Sequence, residues 1–163
     1  MHTVYVALGS NVGDRLQNLR DAIAQLAPEV KVTTESSIYE TEPWGFEEQD
    51  DFLNMVVQGE TDLEPDELLE HLKRIEDNVG RTKTFRNGPR EIDLDILFYD
   101  DLILESDGLV IPHPRLHERA FVLVPLADID TELVHPIWNH SVADLLQQLD
   151  VTEINKFDLN LND

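Results

Sequence analysis

Asp93 and Asp95 stand two residues apart in an otherwise apolar run, Ile92-Asp93-Leu94-Asp95-Ile96-Leu97-Phe98, and that spacing is where chemistry is first suggested. In extended backbone, residues i and i+2 share a face, ~6.5 to 7 Å apart. The two carboxylates therefore point one way, and Ile92, Leu94, Ile96 and Phe98 are expected to face the core. Two carboxylates on a stiff strand can hold two Mg²⁺ ions ~3.5 to 4 Å apart, an arrangement used for in-line phosphoryl transfer. Magnesium suits such a pair because it prefers hard oxygens and keeps waters that phosphates can replace. An isolated D-x-D is more often a strand with one wet face, and here the residues before it tip the balance. Lys73, Arg74, Arg81, Lys83, Arg86 and Arg90 are six of the twelve Lys and Arg, and within 73–90 only Glu76 and Asp77 oppose them. This window is net +4 in a chain of net charge −22. A positive island in a negative protein points to a small anionic ligand, with phosphates the leading candidate.

Other residues carry weaker signals. His113 lies between Pro112 and Pro114, on a stiff segment from which it could donate to a ligand, although a lone His is more often structural. His117 and Arg119 share that segment, but H-x-x-x-H without a third ligand does not make a metal site. Phe52 and Phe121 read as core. Trp44, beside Gly45 in the polar stretch 43–51, reads as an exposed indole that covers a ligand. Gly9-Ser10-Asn11 is not a phosphate loop, since G-x-x-x-x-G-K-[ST] is absent, and it reads as a turn between strand and helix.

These residues need a frame. TVYVAL (3–8) predicts a first strand. Leu16, Leu19, Ile23 and Leu26 predict a helix from about Asp14 to Ala27, ended by Pro28. Residues 30–41 read as one strand and 52–61 as another. Pro65 suits the first turn of a helix whose apolar stripe is Leu68, Leu69, Leu72, Ile75 and Val79. Glu76 lies on that stripe and either ends the buried face or points into a site. Residues 80–91 form a basic loop, 92–99 a strand and 100–112 a short hairpin. Helices follow from about Leu116 and over 141–149, and the polar end from Thr152 is expected to fray. The order βαββαβ predicts an α+β sandwich, with a mainly antiparallel sheet and helices on its faces, in one domain over 1–163.

Composition narrows the function classes. A chain of 163 residues, 41% hydrophobic, can bury a real core. The absence of cysteine excludes disulfides and thiolate zinc sites. A charge of −22 repels nucleic acid and anionic membranes, so neither is an expected partner, and a heavily solvated surface, as in a salty cell interior, accounts for it. The longest apolar stretch, around AFVLVPLA, falls far short of the ~20 residues needed to cross a bilayer. MHTVYVALGSN has neither a basic leader nor a long apolar core, so a cytoplasmic protein is expected, with a monomer as the simplest state.

The run GRTKTFRNGPREIDLDIL resembles the signature of the 6-hydroxymethyl-7,8-dihydropterin pyrophosphokinases of folate synthesis. VYVALGSNVGDR, SSIYETEPWG, FLN before a strand and IPHPRLHERAFVLVPL follow in family order, so the likeness covers nearly the whole chain. The resemblance implies a ferredoxin-like α+β fold. It also implies transfer of pyrophosphate from ATP to the pterin hydroxymethyl group, leaving AMP. Asp93 and Asp95 would ligate two Mg²⁺ ions, and Arg81 and Arg90 would act on the phosphates as catalytic residues. Lys73, Glu76, Lys83, Ile96, His113 and Arg119 fall where the family contacts ATP. Thr41, Pro43, Trp44, Phe52, Asn54 and Phe121 fall along the pterin pocket, with Phe52 and Phe121 as the stacking pair. Asn54 can both donate to and accept from the amide edge of the heterocycle.

Four residues depart from the pattern of some members: Asn87 for a tryptophan, Gly108 for a basic residue, Val110 for a threonine and Pro114 for a tyrosine. They put peripheral ATP contacts in doubt and leave the carboxylate pair untouched. The alternative functions are a non-catalytic nucleotide-binding module and an interaction partner of another folate enzyme, and intact Asp93, Asp95, Arg81 and Arg90 argue against the first.

Overall fold

A computed structural model describes residues 1–41, 51–79, 91–152 and 154–157. β1 (His2–Ser10) is longer than the sequence pattern suggests, because Gly9 and Ser10 continue its pairing with Asn54 and Leu53 of β4 (Phe52–Thr61). α1 (Arg15–Leu26) starts where Asp14 accepts the Gln17 N–H at 3.1 Å, an N-cap that satisfies one otherwise unpaired donor. The run expected as one strand over 30–41 is two, β2 (Val30–Glu35) and β3 (Tyr39–Thr41). Ser36 interrupts it. Its hydroxyl accepts the Val56 N–H at 2.9 Å, while its own N–H donates to the Val56 carbonyl. α2 (Pro65–Asn78) opens with Pro65 and a capping box between Glu64 and Glu67, and its stripe Leu68, Leu72 and Ile75 is fully buried.

β5 (Asp93–Tyr99) completes the central sheet, in which the strands run β5-β1-β4-β3, with β2 also on β4 and every pairing antiparallel. With β2 and β3 counted as one strand interrupted at Ser36, the order is βαββαβ with β1 and β4 in the middle, a ferredoxin-like α+β fold. β6 (Leu104–Ser106) and β7 (Leu109–Ile111) form the expected hairpin, turned at Gly108 with φ +85°. A 3₁₀ turn (Leu116–Glu118), α3 (Ala120–Ile129) and α4 (Val142–Gln147) follow. Asn155 and Lys156, where fraying was expected, pair with β3 as β8.

Both faces of the sheet are covered, which explains why its strands carry apolar residues on both sides. Val4, Val6, Leu8, Met55, Leu94 and Ile96 pack with Leu19, Leu26, Leu72 and Ile75 of α1 and α2. Tyr5, Val56, Leu97 and Phe98 pack on the other face with Val122, Leu123 and Leu126 of α3 and with α4. Phe98 was expected on the side of Leu94 and Ile96. A register shift between Tyr5 and Val6, opposite Leu97, reverses the alternation there and turns it to the α3 side. Among the described residues, no helix is long and apolar enough to cross a membrane.

Candidate active site

Residues directly opposite one another in antiparallel strands share a face, so the register places the site. Asp93 of β5, Gly9 of β1, Asn54 of β4 and Tyr39 of β3 lie at one level of the sheet, and Asp95, Ala7 and Val56 at the next. All face the side on which α3 packs. Asp93 and Asn54 are two strand spacings apart, about 10 Å. Between them Gly9 offers no side chain, and a Cβ there would meet Asn54 Oδ1 at 2.9 Å and Phe52 Cδ1 at 3.6 Å.

One end of this floor is aromatic and amidic. Asn54 is 7% exposed and donates from Nδ2 to Thr41 Oγ1 at 2.7 Å, which fixes the amide plane. Phe52 is half-buried and stands opposite Thr41. Phe121, in the first turn of α3, is also half-buried, with the Arg119 guanidinium 5.6 Å from its ring centre. The neighbouring Tyr39 hydroxyl donates to Asp128 at 2.7 Å and ties β3 to α3; burial first, and then Asp128, push that phenol up to about 12.

The other end is acidic. Asp93 and Asp95 are both half-buried and side by side on β5. Burial pulls the Arg119 guanidinium below its ordinary range, and Asp95 and Asp93 oppose that pull, so one cation links the aromatic and acidic ends. His113 is anchored by its N–H to the Leu97 carbonyl at 3.1 Å. Burial, and then Arg119 and Arg115, pull its imidazole down to about 4. It is therefore neutral near pH 7. Arg115 N–H donates to its Nδ1 at 3.2 Å, which puts the ring proton on Nε2.

Glu76 ends the buried face of α2. It is 5% exposed at the end of the α2 stripe, and its Oε2 accepts the Leu94 N–H at 2.9 Å, between the two aspartates. β5 is the edge strand, so this is an outward N–H that β1 cannot satisfy. Ile96 is 4% exposed and packs in the α1/α2 core, on the face opposite the carboxylates. Lys73 is exposed on α2. Gly108 turns the β6–β7 hairpin with left-handed φ, a conformation that a basic residue would adopt only under strain. Val110 lies in β7 and Pro114 is exposed. Pro43, Trp44, Arg81, Lys83, Arg86, Asn87 and Arg90 lie outside the described residues.

The sequence reading missed Gly9 and Arg15. Gly9 looked like a turn because it ends the apolar alternation, yet a Gly closing a strand pattern is also the mark of a close approach. Among the described residues, no group of three or more His, Asp or Glu could hold a metal by itself. Two hard carboxylates fit an ion such as Mg²⁺, whose remaining ligands are waters and phosphate oxygens.

Residues 5–131 match the family model of 7,8-dihydro-6-hydroxymethylpterin-pyrophosphokinase. The chain belongs to this family. It is 54% identical over 127 residues to the pyrophosphokinase of Bacillus subtilis, covering 77% of this chain and 76% of that one. It is 46% identical over 138 residues to that of Aquifex aeolicus, covering 85% and 86%. It spans only a fifth of the folic acid synthesis protein of Dictyostelium discoideum, to which it is 47% identical over 133 residues, 82% of this chain. A solved Plasmodium falciparum HPPK-DHPS superposes on 91% of this pyrophosphokinase-family chain and 43% of its own length, with TM-score 0.70. At 19% identity that likeness shows the fold alone.

Proposed function

We propose that the chain transfers pyrophosphate from ATP to the hydroxymethyl oxygen of 6-hydroxymethyl-7,8-dihydropterin, releasing AMP. One observation carries the reading: Asp93 and Asn54 stand in register on one face, about 10 Å apart across a glycine. A flat pterin between Phe52 and Phe121, with its amide edge on Asn54, extends from there toward the carboxylates. Thr41 orients Asn54, leaving Oδ1 and one N–H for the ring.

Asp93 and Asp95 would hold Mg²⁺ at the acidic end. Bound Mg²⁺ would supply charge neutralisation on the phosphates and ease loss of the hydroxyl proton. Arg119 adds a fixed cation beside the carboxylates, and Arg81 and Arg90 add further guanidinium donors to the triphosphate. Neutral His113 serves as a donor from Nε2, and with Nδ1 already engaged it is not the base. Lys73 and Lys83 contribute charge at the periphery. An ATP contact at Ile96 falls to its main chain, which shares the outward parity of Leu94, and not to its buried side chain. Glu76 supports the site from below by holding β5. Positioning and charge stabilisation supply most of the rate in such transfers.

The test is the nucleotide product. ATP should yield AMP when the hydroxymethyl-dihydropterin is present, and none without it. ADP as the product would mean attack on the wrong phosphorus and would sink the reading. No turnover by folded protein that still binds ATP would favour the non-catalytic alternative.

A further inference from the structure

Arg15 opens α1 next to the Asp14 N-cap, at a helix end where the dipole disfavours a cation. Its guanidinium reaches the aromatic half of the site instead. One nitrogen, Nη1, donates both to Glu40 Oε2 at 2.7 Å and to the Asp51 carbonyl at 2.9 Å. Glu40 sits in β3 between Tyr39 and Thr41, and Asp51 immediately precedes Phe52. A single group thus ties together the two strand ends that present Thr41 and Phe52 to each other.

A second support comes from the last described residues. Asn155 and Lys156 pair with Glu40 and Tyr39, Phe157 N–H donates to the Ile38 carbonyl at 2.8 Å, and the Phe157 ring lies 5.9 Å from the Arg15 guanidinium. β3 has only three residues, too few to hold a register firmly on its own ladder. It is therefore gripped by β4, by β8 and by Arg15. The segment 155–157 lies beyond the 5–131 match to the family model, so this grip uses residues outside that match.

We propose that Arg15, backed by Phe157, is a positioning residue for pterin: it fixes the spacing of Thr41 against Phe52, and through Thr41 the plane of the Asn54 amide, without touching the substrate. The proposal rests on the assignment of Thr41, Phe52 and Asn54 to the pterin pocket. The acidic end, on β5, has no part in the grip, so the effect should be confined to one substrate.

The experiment measures kcat and both KM values, with Mg²⁺ saturating, for Arg15→Ala, Arg15→Lys, Phe157→Ala and Phe52→Ala. Arg15→Ala should raise the pterin KM about tenfold or more, because small displacements of positioning groups are costly. Its ATP KM should stay within about twofold of wild type on the same reasoning. Lysine, which can still donate to two acceptors, should recover part of the loss, and Phe157→Ala should give a smaller shift of the same kind. An unchanged pterin KM in Arg15→Ala, or equal losses for both substrates, would overturn the proposal while Phe52→Ala still weakens pterin. If Phe52→Ala leaves pterin binding intact, the pocket assignment itself fails. Should Arg15→Ala not fold, the Phe157→Ala split between the two KM values decides.

Discussion

Replacing Gly9 by alanine should damage pterin recognition selectively, and the size of the effect follows from the packing around it. The new Cβ would lie 2.9 Å from Asn54 Oδ1, whereas ordinary contact begins at 3.4 Å. The amide must therefore give way by about 0.5 Å, within the range where packed side chains feel a misfit. It cannot simply slide toward Thr41, because that hydrogen bond is already 2.7 Å long. It must swing out of line, which loses a buried hydrogen bond worth about 1 kcal/mol, or about 3 if a partner is left unsatisfied. That corresponds to roughly 5- to 150-fold in pterin affinity. Titration of Gly9→Ala with pterin, beside MgATP, provides the assay, and ATP affinity should hold. Adding Gly9→Ala to Asn54→Ala should cost little more, since both act through one amide. Unchanged pterin affinity, or equal loss for both ligands, would refute the reasoning.

Asp95→Asn should fold normally but lose turnover by about 100-fold or more, with a weaker magnesium dependence, measured across a magnesium titration. His113 is held at about 4 in the folded chain against 6.5 unfolded, so the unfolded chain takes up its proton first on acidification and stability falls as pH drops from 6.5 toward 4. Between pH 7 and pH 5 the wild type should therefore lose about 2 kcal/mol more than His113→Gln in denaturant titrations, and identical losses would count against a neutral, half-buried imidazole. With a net charge of −22, the melting temperature should rise with sodium chloride, since screening within ~10 Å at 0.1 M relieves repulsion. A flat or falling melting curve would argue against this.

Periodicity and punctuation gave most of the frame. β4 matches its expected bounds of 52–61, and α1 and α2 follow from their apolar stripes and their Asp14 and Pro65 starts. The i, i+2 rule likewise placed Asp93 and Asp95 together on one face. What escaped depended on partners distant in sequence. Ser36 splits the 30–41 run only because Val56 is there to bond it, and Phe98 changes face through a bulge set against Tyr5 and Val6. Gly9 is informative only beside Asn54. No local pattern shows that Arg15 will meet Glu40, Asp51 and Phe157.

The central place of β1 has a consequence for how the protein reaches its working form. β1 is an inner strand, and its neighbours, β4 and β5, are synthesised well after it. Closing such long loops costs entropy before any contact rewards it, so folding should be slow relative to helical proteins of this size. The floor between Asp93 and Asn54 does not exist until β5 has docked on β1, so nascent chains ending before β5 would lack the acidic end altogether. During that wait both edges of β1 are open to wrong partners. A strongly negative chain repels its own copies, and the same charge that surrounds the finished enzyme would keep unfinished ones apart.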